Sequence, residues 1–132
     1  MAGAAMGTKL NIGTYSVGEL TSIAGLELSA DTIETTTLDS TDGYRTFIGG
    51  LRDGGEVSVS GFFKPTDTNG QKAMLTNLNA GVAGSFSVVF PTAMSASWTF
   101  DGIVTSFATG AEMEDAVTFE STIKVTGKPT LV

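Results

Sequence analysis

The 132-residue sequence contains no histidine and no cysteine. Without imidazole, the commonest general base and the nitrogen ligand of most transition-metal sites are missing. Without thiol, disulfides, zinc–thiolate sites and cysteine nucleophiles are excluded together, and the redox compartment is left open. Basic residues are also scarce: 7 Lys and Arg against 14 Asp and Glu give a formal net charge of -7. Phosphate-neutralising contact with nucleic acid requires Lys and Arg to displace counterions, and the few present here are scattered. Polar-tipped aromatics are few, with one Trp and two Tyr beside eight Phe. No apolar run approaches the roughly 18 residues of a membrane span, and the opening MAGAAMG is too short and too uncharged for a signal peptide, so synthesis and folding in a cytoplasm are expected.

What remains is the composition of one folded domain over residues 1–132. Hydrophobic residues make up 41% and charged residues only 16%, the reverse of a disordered chain. So few charges suggest that much of the surface meets protein.

The pattern along the chain is that of short strands. Residues 1–8 are small and have nothing to pack, so they read as an N-terminal arm. Residues 9–15 and 19–24 are short strands. Residues 26–38 form a third, favoured near its end by the Thr35-Thr36-Thr37 run, whose branching at Cβ suits a pleated surface. Residues 56–64 alternate, with Val57, Val59, Gly61 and Phe63 on one face. Residues 66–80 are the one predicted helix: a capping region precedes the apolar stripe of Met74, Leu75 and Leu78, and Gly81 ends it. Strands follow at 85–90, 95–109 and 116–127. In the second of these, Trp98 and Phe100 are out of phase with Ile103 and Phe107, which predicts a bulge at Asp101-Gly102. Residues 128–132 read as a C-terminal arm. The fold class is therefore mainly β: an antiparallel β-sandwich or small barrel with one short α-helix and a long inter-strand loop.

That loop, residues 39–55, opens with Asp-Ser-Thr-Asp-Gly and closes with Arg-Asp-Gly-Gly. A segment this long is uncommon in a compact domain unless it is functional or ordered by a partner. Inside it Tyr44, Phe47, Ile48 and Leu51 stand at near-helical spacing, predicting a turn of helix or an apolar ridge that something must cover.

No chemistry-bearing constellation competes with this reading. The carboxylates Asp39/Asp42 and Glu112/Glu114/Asp115 could in principle serve acid–base work on a glycoside, but aromatic platforms are missing and both groups read as solvated turns. The Asp67-Thr68-Asn69-Gly70 run resembles the opening of a calcium loop yet lacks its later ligands, so a helix-capping turn is the better reading. No catalytic residue, metal or cofactor is expected, and the chain does not read as an enzyme.

In order and spacing, several segments resemble the major tail tube proteins of long-tailed (siphovirus-type) bacteriophages. They are Gly7-Thr8-Lys9-Leu10, residues 28–61 with the turn Leu38-Asp39-Ser40-Thr41-Asp42-Gly43, the Gly70-Gln71 helix opening, Trp98-Thr99-Phe100-Asp101-Gly102, Gly110-Ala111-Glu112, and residues 116–129. The resemblance implies a structural subunit of the virion tail, made in the bacterial host. It also implies assembly with itself into stacked hexameric rings around a hollow conduit, tape-measure and tail-tip or terminator proteins as partners, and DNA passing through without sequence-specific binding. An acidic lumen that repels DNA suits that passage. On this reading Asp39, Asp42, Tyr44, Arg45, Phe47, Ile48, Leu51 and Arg52 belong to the assembly interface, and Glu34, Glu56 and Glu120 are candidate lumen-facing acids. The alternative is a β-sandwich binding module for carbohydrate or surface adhesion.

Overall fold

A computed structural model describes residues 6–39, 42–114 and 116–132. The N-terminal arm expected over 1–8 therefore lies, for residues 1–5, outside the described residues, as do Ser40, Thr41 and Asp115 of the acidic turns.

The strands are β1 (Lys9–Ile12), β2 (Tyr15–Ser16), β3 (Leu20–Gly25), β4 (Ser29–Glu34), β5 (Phe47–Asp53) and β6 (Glu56–Phe62). They are followed by the helix α1 (Gln71–Ala80), β7 (Gly84–Val89), a 3-10 turn at Thr92–Met94, β8 (Ser97–Gly110) and β9 (Thr118–Leu131). Seven strands form one antiparallel sheet in the order β2-β1-β7-β8-β9-β6-β3, and β4 and β5 pair separately. The large sheet curls into a half-barrel, with the single short helix beside it.

Alternation in β6 and β9 builds the core. Val57 opposes Ile123, Val59 opposes Ser121 and Gly61 opposes Phe119, and all six are buried. Burying a large aliphatic or aromatic side chain contributes about 1.5–3 kcal/mol, and the cluster continues through Leu10, Phe86, Val88, Phe100, Val104 and Met74. Phe86 stacks on Phe100 at 5.9 Å and Phe107 on Phe119 at 5.7 Å.

The phase change predicted in β8 exists but sits further along. Phe100, Gly102 and Val104 all point inward, so no flip occurs at Asp101-Gly102. Gly102 is there because a Cβ would lie 2.5 Å from Ile123 Cγ2. The register shifts twice: between Thr99 and Asp101, where the extra residues lie on β9, and between Val104 and Ser106, where Thr105 is the extra residue on β8 and Phe107 turns inward. The Ser106 carbonyl beside the bulge accepts a 2.7 Å hydrogen bond from the Ser121 hydroxyl, which explains a buried serine in the core row.

The helix is shorter than predicted. Residues 66–70 form turns, and α1 begins at Gln71. Asp67 Oδ2 accepts from the backbone N–H groups of Gly18 (2.8 Å) and Gln71 (3.2 Å), as a capping carboxylate does. Gly81 closes the helix in the left-handed conformation with its N–H on Asn77 O. Met74 is fully buried and Leu78 packs against the core, but Leu75 is 41% exposed, so one of the three expected stripe residues faces out. The buried polar residue is Gln71, whose amide donates to Gly18 O and Phe62 O and accepts from Lys64 N.

Residues 128–131 do not leave the body as an arm. They continue β9, with Leu131 opposite Trp98 and Val132 exchanging backbone hydrogen bonds with Ser97. Pro129 is accommodated because β6 reaches only as far as Lys124, leaving that side of β9 an edge where a missing N–H costs nothing.

Candidate assembly surfaces

The segment expected to be a long loop is largely a hairpin. Glu34 opposes Phe47, Ile33 opposes Ile48 and Thr32 opposes Gly49; beyond a register shift Ala30 opposes Arg52 and Ser29 opposes Asp53. Two residues, Gly50 and Leu51, thus face the single Asp31, which is a bulge. The predicted helical ridge is therefore replaced by a pleated strand that sends Phe47 and Ile48 to opposite faces. The i, i+3, i+4 spacing misled because periodicity cannot see the pairing partner that Thr32–Glu34 supplies; the adjacent Gly49-Gly50, poor in a helix interior, was the contrary signal.

Threonines tie the tip. The Thr35 N–H donates to Thr46 O at 2.8 Å, the Thr46 N–H donates to Thr36 Oγ1 at 2.8 Å, and the Thr35 and Thr46 hydroxyls meet at 3.0 Å. Thr37 Oγ1 donates to Asp39 Oδ1 at 2.6 Å; that bond and a backbone N–H hold the Asp39 carboxyl below its ordinary value. Arg45 reaches Glu34 at 3.9 Å with both side chains solvated, a geometry of little energetic weight. Asp42 and Tyr44 are exposed at the same tip.

At its root the hairpin is fixed to the large sheet. Gly55 has φ +77°, and its carbonyl accepts from Val125 N at 3.0 Å. Asp53 accepts from Gly55 N at 2.8 Å and from Lys124 Nζ at 2.9 and 3.2 Å. The backbone bond and then the lysine lower its carboxyl pKa.

Neither face of the hairpin is covered. All of β4 and all of β5 except the half-buried Gly50 are exposed. Ile33, Phe47 and Ile48 keep 53–55% of their surface and Leu51 keeps 85%. Of the seventeen large apolar residues exposed among the described residues, seven fall between 28 and 51.

A second surface is the outer face of the large sheet. Cross-strand pairing puts Glu56 beside Lys124, Ser58 beside Thr122 and Ser60 beside Glu120, and the row continues to Ser85 opposite Asp101 and Ser87 opposite Thr99. This face is rich in hydroxyls, and the charges in these pairs are the acids Glu56, Glu120 and Asp101 and the base Lys124. It carries Glu56 and Glu120 together; Glu34, expected with them, belongs to the hairpin instead.

The model of the lambda phage tail tube protein (TTP) family matches residues 9–132. The chain belongs to that family. It is a tail tube subunit of a phage virion, and the binding-module alternative gives way to that assignment. The fold of the tube subunit is similar to a chain in the tail of an empty gene transfer agent particle with C6 symmetry, at TM-score 0.80 and 19% identity over 99% of both chains. It is similar to a chain of the sheath/tube terminator of the PVC extracellular contractile injection system, at TM-score 0.75 and 14% identity over 100% of this chain and 97% of that one. It is also similar to the SPP1 tail tube, at TM-score 0.68 and 17% identity over 97% of this chain and 78% of that one. At these identities the likenesses establish the fold. No curated protein sequence matches the tube subunit. Among the described residues, no helix is long and apolar enough to cross a membrane and no group of three or more acidic residues is placed to hold a metal ion.

Proposed function

We propose that copies of this chain form hexameric rings that stack into a hollow conduit for DNA, with the β4–β5 hairpin as the contact element between subunits. The observation that carries this is a two-stranded sheet with apolar side chains uncovered on both faces. An isolated hairpin is marginally stable in water, and large exposed apolar patches mark interaction sites. Burying Ile33, Phe47, Ile48 and Leu51 against a neighbour removes that liability, and Tyr44, Arg45, Asp39, Asp42 and Arg52 surround them. The six-fold symmetry of the similar gene transfer agent tail supports a ring of six.

The outer sheet face suits the conduit wall. Its hydroxyls carry no charge to hold phosphate, its Lys124 is already engaged by Asp53, and Glu56 and Glu120 repel phosphate, so DNA slides without sequence-specific capture. The role is structural and non-enzymatic. Tape-measure and tail-tip or terminator proteins are the further partners that family membership implies.

Replacing Phe47 and Leu51 together by Asp yields folded monomers that make no tubes in negative-stain images. Tubes of unchanged yield and diameter would remove the hairpin from this role.

A further inference from the structure

Between the root of the β4–β5 hairpin and the free side of β9 lies a cleft of about 830 Å³, lined by Leu28, Ala30, Arg52, Val125, Lys128 and Pro129, among others. It is unusual in charge. The chain has 7 basic residues. Two of them, Arg45 and Lys124, are ion-paired. Of the remaining five, Arg52 and Lys128 both line this cleft, are exposed, and have no ion-pair partner among the described residues. The one carboxylate in the lining, Asp53, is already engaged by Lys124 and Gly55 N.

The tip that joins β8 to β9 is its complement. Glu112 and Glu114 are exposed there and flank Met113, which is 92% exposed. A flexible thioether left in solvent between two carboxylates matches an irregular aliphatic cleft between two cations. Tip and cleft are also well separated: the lining residues Val125 to Pro129 lie 7 to 11 positions along β9 from its start at Thr118, or ~25–35 Å at the rise of a strand. A contact between different surfaces at opposite ends of one molecule propagates as an open stack.

We propose that the Glu112-Met113-Glu114 tip of one copy seats in the Arg52/Lys128 cleft of the next copy, joining subunits end to end. The inference rests on the tube reading and names the contact that gives the tube its direction. Met113 enters between Leu28, Val125 and Pro129, while the two glutamates meet the two cations at the rim. Because the paired charges are solvent-accessible, they set partner choice and rate of encounter and weaken with salt.

The test uses the full chain in two charge-reversed forms, Glu112→Lys with Glu114→Lys, and Arg52→Glu with Lys128→Glu. Polymer is read by light scattering and negative-stain imaging. Each form alone is expected to lose tube yield by about tenfold or more at low salt. Mixed one to one they are expected to recover it, because each lysine tip then meets a glutamate cleft and each native tip a native cleft. Recovery also reports that both forms are folded. Wild-type yield from either form alone overturns the proposal, and so does a mixture that stays as unassembled as its parts. If the wild-type chain itself forms neither rings nor tubes, the tube reading fails and takes this contact with it; if it forms them and the reversed forms do as well, only the contact fails.

Discussion

Two hairpins of this molecule share a pairing pattern and end in opposite states. In β8–β9, Phe119 and Ile123 are completely buried. In β4–β5, Phe47 and Ile48 keep more than half their surface. Both hairpins are antiparallel and both carry a bulge. The difference is what lies beside them. The β8–β9 pair is flanked by β7 and β6 and covered by α1, whereas β4–β5 meets the body only at its root. Burial is thus a property of neighbours, and the hairpin that lacks neighbours within its own chain is the one proposed to acquire them from another.

The comparison breaks most visibly at its buried end. Phe119→Ala should cost about 3–5 kcal/mol in a denaturant titration, since it removes a fully buried ring and leaves a cavity beneath Phe107. Phe47→Ala should stay within about 0.5 kcal/mol in the monomer, as exposed positions usually do. Similar losses at the two sites would mean that the hairpin is packed in solution after all.

A smaller effect sharpens the boundary between helix and sheet. Gln71→Ala leaves Gly18 O, Phe62 O and Lys64 N without their amide partner, which should cost about 1–3 kcal/mol by thermal or chemical unfolding. A neutral outcome would show that water replaces the amide and that this junction is open.

The smallest effect concerns the hairpin root. Asp53 has a lowered pKa in the folded chain, from the Gly55 N–H and then Lys124. Its contribution is therefore complete above the ordinary aspartate value of about 3.9 and is lost as pH falls through the lowered folded-state value. Root amides such as Gly55 should lose hydrogen-exchange protection in that acid range in the wild type. Asp53→Asn should show reduced protection already at neutral pH and no further acid step from this group.

How much was legible beforehand follows the same division. The strands over 56–64, 85–90 and 116–127 were readable because each has one buried face, and strict alternation is the trace that a half-buried strand leaves. The bulge in β8 was readable as a phase change but was misplaced by a few residues, because Gly102 has no side chain to mark its inward phase. The hairpin looks like a loop with a helical ridge in the sequence because no face of it is buried, so no core-facing period marks its strands. Arg52 belongs to the segment that the sequence marks out, but its proximity to Lys128 leaves no local trace, since 76 positions of chain separate them.

Composition and order alone determined that this chain is mainly β and without thiol or imidazole chemistry, because those properties are sums and local periodicities over residues. Only the tertiary structure decided that residues 47–53 pair with 29–34, that 128–131 extend a strand, and that two cations share one cleft. Each of these joins segments distant in sequence, and long-range pairing is set by the geometry of the whole sheet, which no local pattern encodes.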